Sequence, residues 1–365
     1  LFLTSKYKNN MNKTFFFLYG RDALLYGLKK NGVEAGSTII IPAYMCKSTL
    51  EPIMSYGFNI IFQDIDNDLN LDITLLKENI IKHNAAAVLS VNYFGFKSNI
   101  RDVGKLCSSL EIISIEDCSH SYMSYDHFYT PIEDSNFAIY SIRKSLPIYD
   151  GGALRFSHNE FKKSYNNNAS LTEASLKMYI RLYYKHYRYL AFRFFEFLII
   201  KIRIFNLYSE LLTKIKNIIR REDLNKKSYK SYKFNKPSQP SLILESYINN
   251  TDREDNIKKI VVKNYSEIMS AITSLGYKPL YSKLPHKCIP QYAIFYDDSG
   301  KLFNFLRNNK IGASRWPDYE IPDEVVSNDS KFPKANFFNR NLVMIPIHQS
   351  INYKHRKKII DTISL

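Results

Sequence analysis

The strongest constraint on the fold is an alternation, from Phe15 to about Phe156, of short apolar runs with amphipathic stretches. An apolar run followed by a stretch of helical periodicity reads as a strand and then a helix, and repeating that unit builds a mostly parallel sheet with helices on its faces. The runs predict strands over Thr38–Ile41, Asn59–Gln63, Ala85–Val91, Ile112–Ile115 and Phe137–Ser141. The amphipathic stretches predict helices over Asp22–Lys30, Ser48–Ser55 and Ile73–Lys82. Several of these strands run into polar or small residues, and sheets of this kind hold their ligands at such strand ends.

At 365 residues the chain suits a large α/β domain with a smaller one attached, the first spanning residues 1–250 and the second 251–365. A polar stretch from Asp223 to Ser241 reads as a loop or hinge, a helix follows over about Asp252–Leu275, and Tyr277–Leu365 has a strand-helix-strand-helix pattern. A hydrophobic share of 45% excludes general disorder. Cys46, Cys107, Cys118 and Cys288 lie far apart, with no Cys-x-x-Cys pair and no His/Cys spacing suited to zinc, so no metal is expected and a reducing compartment fits. Leu1–Lys13 lack the pattern of a signal peptide, which makes a cytoplasmic location the expectation.

The formal charge is +16, and nine of those charges come from one segment, because Lys177–Arg221 holds eleven Lys/Arg against two Glu. The basic aromatic stretch over 176–221 is read first as an amphipathic helical hairpin packed on its own domain. The alternative is an in-plane helix at an anionic membrane, which would place the chain at the inner face. No uncharged run approaches the roughly 20 residues of a membrane span, and no reading motif for nucleic acid accompanies the charge.

Three motifs carry chemistry. Ser141-Ile142-Arg143-Lys144 follows a buried-looking strand and precedes Gly151-Gly152. A lysine there can reach a carbonyl, the serine hydroxyl can reach a phosphate, and the glycines let backbone pass close to a ring. Ile112–His120 (IISIEDCSH) runs an apolar strand into Glu116-Asp117, setting a carboxylate at the strand's carboxyl end with His120 three residues on. Tyr19-Gly20-Arg21-Asp22 opens an amphipathic helix whose first N–H groups suit a phosphate, although Asp22 also reads as an ordinary cap.

In this order, the motifs resemble the DegT/StrS-type sugar aminotransferases, pyridoxal 5′-phosphate (PLP) enzymes of fold type I. Ile40-Ile41-Pro42-Ala43-Tyr44, Val91-Asn92-Tyr93-Phe94-Gly95 and Met344-Ile345-Pro346-Ile347-His348 add to the likeness. The resemblance implies a large domain with a mostly parallel sheet flanked by helices, a smaller C-terminal α/β domain, and a homodimer with shared active sites. It implies that Lys144 carries PLP as a Schiff base, Asp117 pairs with the pyridine nitrogen, and His120 lies beside the phenolic oxygen. Gly20, Arg21, Asp22 and Ser141 would hold the phosphate, and Asn235 would reach the phosphate of the neighbouring subunit. Arg315 and His348 are candidates for substrate binding.

The implied reaction moves an amino group from a donor such as glutamate to a nucleotide-linked keto-sugar, for a surface polysaccharide. A sugar dehydration on a lipid-linked glycan and a non-catalytic relative on the same fold are the alternatives. The chain also departs from the family. Cys46 occupies the place of the aromatic that usually stacks on the cofactor, with Tyr44 nearby, and Arg21 replaces a small polar residue. The run before Lys144 is two residues short, and residues 176–221 have no usual counterpart.

Overall fold

The computed structural model describes residues 14–148, 150–157, 234, 237, 242–317 and 320–364. Seven strands form one sheet: β1 (Thr14–Phe17), β2 (Thr38–Pro42), β3 (Asn59–Gln63), β4 (Ala85–Val91), β5 (Ile113–Asp117), β6 (Phe137–Ser141) and β7 (Gly152–Phe156). Their spatial order is β1-β7-β6-β5-β4-β2-β3, and every pairing is parallel except the two made by β7. The helices between them are α1 (Gly20–Lys30), α2 (Lys47–Ser55), α3 (Ile73–His83) and α4 (Ile100–Ser109). The expected α/β class with a mostly parallel sheet is therefore what the chain forms.

Local chemistry explains the elements. β2 (TIIIP) carries three successive isoleucines that are all fully buried, as a strand covered on both faces requires. Ile39 and Ile41 pack into one cluster with α1, whereas Ile40 packs into another with α3 and α4. Burying each such side chain is worth about 1.5–3 kcal/mol. Asp72 caps α3 by accepting a hydrogen bond from Leu75 N at 2.8 Å, and Asn84 ends it in the left-handed conformation at φ 46°.

Two of the boundaries that differ from the sequence expectation bear on the site. The strand expected over Ile112–Ile115 runs over Ile113–Asp117, so both acidic residues belong to the strand. The helix expected from Asp22 begins at Gly20, with Tyr19 as its cap residue. Asp22 is therefore not the cap: it is fully buried in the first turn.

C-terminal to the sheet come α5 (Leu242–Ile248), α6 (Thr251–Ser274), β8 (Tyr292–Tyr296), α7 (Lys301–Asn308), α8 (Asp323–Val326), α9 (Pro333–Asn341), β9 (Leu342–Pro346) and α10 (Tyr353–Ile363). β8 and β9 pair antiparallel as a separate two-stranded sheet. Their inner residues share a hydrophobic cluster with α6 and with Tyr140 and Ala153 of the large sheet. Residues 176–221 and Asn235 lie outside the described residues. Among the described residues no helix is long and apolar enough to cross a membrane.

Candidate active site

The site forms where β5 and β6 end side by side. Asp117 registers against Ile139, and Cys118 N extends the ladder by donating to Ile139 O at 2.8 Å. Because side chains alternate along a strand, Glu116 and Asp117 face opposite sides of the sheet. Asp117 shares its face with Ser141, two residues beyond its register partner Ile139.

Beyond β6 the chain makes one turn of 3-10 helix over Ile142–Lys144, which swings the lysine off the strand end. Lys144 is exposed along its length, yet its Nζ is tied to Nε2 of His120 at 3.0 Å. His120 is 6% exposed, its ring stacked on Phe94 at 5.5 Å and edge-on to Trp316 at 5.3 Å. Burial, and then the neighbouring Lys144 charge, push its pKa well below the usual 6.5. The ring is therefore neutral, with one acceptor nitrogen. Phe94 N–H donates to Nδ1 at 3.5 Å, so the neutral ring that accepts there carries its proton on Nε2, toward the lysine.

Two of the three motifs meet through their glycines. A Cβ on Gly152 would stand 2.2 Å from the carbonyl of Tyr19 and 2.7 Å from Gly20 N, so only glycine lets the start of α1 lie against β7. A Cβ on Gly20 would meet Tyr140 O at 3.0 Å and Ser141 Cβ at 3.5 Å. Gly20, Ser141 and Gly152 thus share one close junction at the positive end of α1. Two guanidinium groups adjoin it, those of Arg21 and Arg143, at 4.7 Å and 5.5 Å from the Tyr19 ring. Arg21 also approaches Glu51 at 3.9 Å.

Asp117 is 5% exposed, and its Oδ1 accepts from Ser119 N at 2.8 Å. The phenol of Tyr93 is pushed well above its usual range by burial first, and then by Tyr44, Asp117 and Cys46. Those groups are electrostatic neighbours on one side of the strand ends. A buried carboxylate, an amine-bearing turn and a glycine-lined helix start are the group types that the ring nitrogen, aldehyde and phosphate of PLP would need.

The other expected residues divide. His348 lines one cleft together with Lys144 and His120. Asp117 does not line that cleft; it is the last residue of β5. Tyr44 is fully buried against Trp316, Tyr93, Phe94 and Phe338, so it is a core aromatic rather than a ring-stacking surface. Cys46 is the cap residue of α2, its Sγ within 3.3 Å of the Ser48 and Thr49 hydroxyls. Arg315 turns away from the cleft, its guanidinium 4.6 Å from the Phe303 ring.

Phe94, Trp316 and Gln291 were not singled out from the sequence. Gln291 N donates to Phe94 O at 2.8 Å, and its Nε2 donates to Lys144 O at 3.4 Å. The aromatic at the end of β4, in Val91-Asn92-Tyr93-Phe94, was the available signal for Phe94. For Trp316 and Gln291 the signal is absent, since both reach the site across more than 140 residues of chain.

Residues 18–179 match the model of the DegT/DnrJ/EryC1/StrS aminotransferase family, in keeping with the resemblance read from the motifs. Two curated proteins align over 96 residues. They are the GDP-4-keto-6-deoxy-D-mannose 3-dehydratases of Escherichia coli O55:H7, at 38% identity, and Yersinia pseudotuberculosis, at 33%. Each alignment covers 26% of this chain and 24% of the relative, so the chain spans about a quarter of the curated relatives it matches.

Among solved structures, a DegT/DnrJ/EryC1/StrS aminotransferase from Brucella abortus superposes with a TM-score of 0.68 at 14% identity, over 99% of this chain and 90% of its own. The Streptococcus pneumoniae putative sugar aminotransferase Spr1654 gives 0.67 at 14%, over 99% and 92%. Helicobacter pylori PseC gives 0.65 at 15%, over 98% and 89%. At such identities these likenesses establish the fold.

Proposed function

We propose, for a chain whose residues 18–179 match the DegT/DnrJ/EryC1/StrS aminotransferase family, that the protein is a PLP-dependent enzyme carrying its cofactor on Lys144 and transferring an amino group. The observation that carries this is the Lys144 Nζ contact with buried, neutral His120, beside the glycine-lined junction of α1, β6 and β7. The amino donor is an amino acid such as L-glutamate and the acceptor a nucleotide-linked keto-sugar, with the product destined for a surface polysaccharide. The printed names of the two curated relatives, which act on a GDP-linked keto-sugar, support the acceptor class.

When bound, PLP supplies an electron sink for the carbanion formed at the substrate carbon. The rest falls to this chain. Gly20, Arg21 and Ser141 would hold the phosphate, with the main-chain start of α1 as donor. Asp117, held by Ser119 N, would be the carboxylate partner of the pyridine nitrogen and keep it protonated. Lys144 Nζ would serve as the nucleophile and, when free, as the base for the proton on the donor α-carbon. Neutral His120 meets Lys144 Nζ through Nε2 at 3.0 Å, so the amine has a resting partner without a competing charge. The protein acts as a cytoplasmic homodimer, and Asn235 would complete the phosphate site of the partner subunit.

A second reading keeps PLP and removes a sugar hydroxyl instead, favoured by the curated relatives, which are 3-dehydratases. Mass analysis of the product separates the two, because amination and dehydration change the sugar by different masses. Purified protein is expected to show a visible absorption band that borohydride fixes to the chain, and Lys144→Ala is expected to remove it. The variant should lower turnover by at least about 10²-fold, the low end for a positioned acid–base group. Colourless wild-type protein that takes up no PLP would end the proposal.

A further inference from the structure

We infer that Arg143 is a ligand of the cofactor's phosphate, presented by the same turn as Lys144, and that together with Arg21 it retains the cofactor in its aminated form, when no bond to Lys144 remains. The inference rests on the PLP reading above and gives a role to a residue that the motifs leave without one.

Ile142–Lys144 form a single 3-10 turn. It is pinned at its start, where Ile142 N donates to Gly151 O at 2.7 Å, and at its end, where Ser145 N and Leu146 N both donate to Ile142 O at 2.9 Å. At three residues per turn, successive side chains leave it about 120° apart. Lys144 goes to His120, its Nζ 3.0 Å from Nε2. Arg143 goes to the start of α1, its guanidinium 5.5 Å from the ring centre of the cap residue Tyr19. One pinned turn thus carries an amine and a guanidinium side by side, as the aldehyde and phosphate arms on neighbouring ring carbons of PLP require.

The charges around Tyr19 lack a matching anion. Arg21 stands 4.7 Å from the same ring and meets Glu51 at 3.9 Å. Arg143 has no carboxylate within ion-pair distance among the described residues. Two like charges beside one ring repel each other, and the N-terminal end of α1 adds the positive end of its dipole. A phosphate dianion offsets all three, and the planar fork of a guanidinium suits its oxygens.

Ser141 is an independent sign of the same ligand. It is 4% exposed, its hydroxyl has no hydrogen-bond partner among the described residues, and its Cβ is 3.5 Å from where a Cβ on Gly20 would stand. A buried hydroxyl left unmatched is uncommon, and a phosphate oxygen at the helix start would accept from it. Transfer of the donor's amino group turns PLP into pyridoxamine phosphate and frees Lys144, so noncovalent contacts alone then hold the cofactor. Charge-assisted contacts to its phosphate are the strong ones left.

The test titrates apoenzyme, as wild type, Arg143→Gln and Arg143→Lys, with PLP and pyridoxamine phosphate and with their phosphate-free counterparts, pyridoxal and pyridoxamine. Binding is followed by cofactor absorbance and protein fluorescence. Arg143→Gln is expected to weaken both phosphorylated forms by about 10- to 100-fold, the scale of a lost hydrogen bond to a charged group, and the phosphate-free forms by less than about threefold. Arg143→Lys keeps the charge without the fork, and a loss of about three- to tenfold on the phosphorylated forms alone is expected. Arg143 lies at the surface, so both variants should melt close to wild type. Should Arg143→Gln fold poorly, Arg143→Lys decides by the same comparison.

Unchanged affinity for PLP and pyridoxamine phosphate in the variants would overturn the inference. So would equal losses with and without the phosphate, which would make Arg143 a positioning residue for the Lys144 turn. A loss confined to KM for a nucleotide-linked keto-sugar, with cofactor affinity intact, would overturn it too and hand the guanidinium to the substrate's diphosphate. Wild-type protein that takes up neither phosphorylated form would instead defeat the cofactor reading itself.

Discussion

Glu116 and Asp117 are adjacent carboxylates on β5, both buried, and their surroundings could hardly differ more. On one face of the sheet Glu116 accepts from Asn92 Nδ2 at 2.8 Å and meets His127 Nε2 at 3.2 Å. His127 Nδ1 then lies 2.9 Å from the Tyr140 hydroxyl. On the other face Asp117 holds one main-chain N–H, and Gln291 and Gln349, which line a cleft with Lys144 and His120, each bury a side-chain oxygen without a donor among the described residues. A closed polar network rigidifies a core, whereas buried groups left without partners mark a place built for a ligand.

The comparison breaks most sharply at Asp117. Asp117→Asn keeps the shape but removes the charge, and it is expected to lower kcat/KM by about 10²- to 10³-fold, the scale of one lost electrostatic partner. Thermal stability should change little, since the remaining amide oxygen still accepts from Ser119 N. A large fall in melting temperature with activity retained would assign Asp117 to the structural class with Glu116.

Gly152 sharpens the same contrast from the side of the cradle. A methyl there collides with Tyr19 and Gly20, so Gly152→Ala should weaken PLP binding by at least about tenfold, or about 1.4 kcal/mol, in a spectroscopic titration. Pyridoxal, which lacks the phosphate, should be affected less. Gly20→Ala meets only Tyr140 O at 3.0 Å and Ser141 Cβ at 3.5 Å, and is the milder control if the first variant folds poorly. Equal losses for PLP and pyridoxal in both variants would detach the cradle from the phosphate.

Much of this geometry was legible in the sequence, because period and spacing are local. The apolar runs at Asn59–Gln63, Ala85–Val91 and Phe137–Ser141 end as expected, and Lys144, His120 and His348 reach one cleft. β7 escaped because its first residue is a glycine and it runs against its neighbours, where alternating strand-helix units give no cue. The ring-stacking residue was left open, with Cys46 in the usual aromatic's place and Tyr44 nearby. Whether an aromatic stacks on a ligand or on Trp316 is a tertiary fact, decided by a residue more than 270 positions away. The orphaned oxygens of Gln291 and Gln349 were equally invisible, since a missing hydrogen bond leaves no trace in spacing.

The smallest expected effect is the one on stability at Glu116. Burial alone would raise its pKa, but His127 and Asn92 outweigh it, and the carboxyl is held below its ordinary 4.5. As the pH falls, the unfolded chain therefore takes up the proton first, so the contribution is complete above about pH 4.5 and is lost as the pH drops through the folded value. Glu116→Gln should cost about 1–3 kcal/mol at neutral pH, because it leaves a buried network partly unmatched. Urea midpoints for wild type and variant should converge as the pH is lowered below 4.5, while PLP affinity at neutral pH stays close to wild type. A gap independent of pH would mean that the carboxylate charge contributes nothing, and that the closed face of the sheet is held by packing alone.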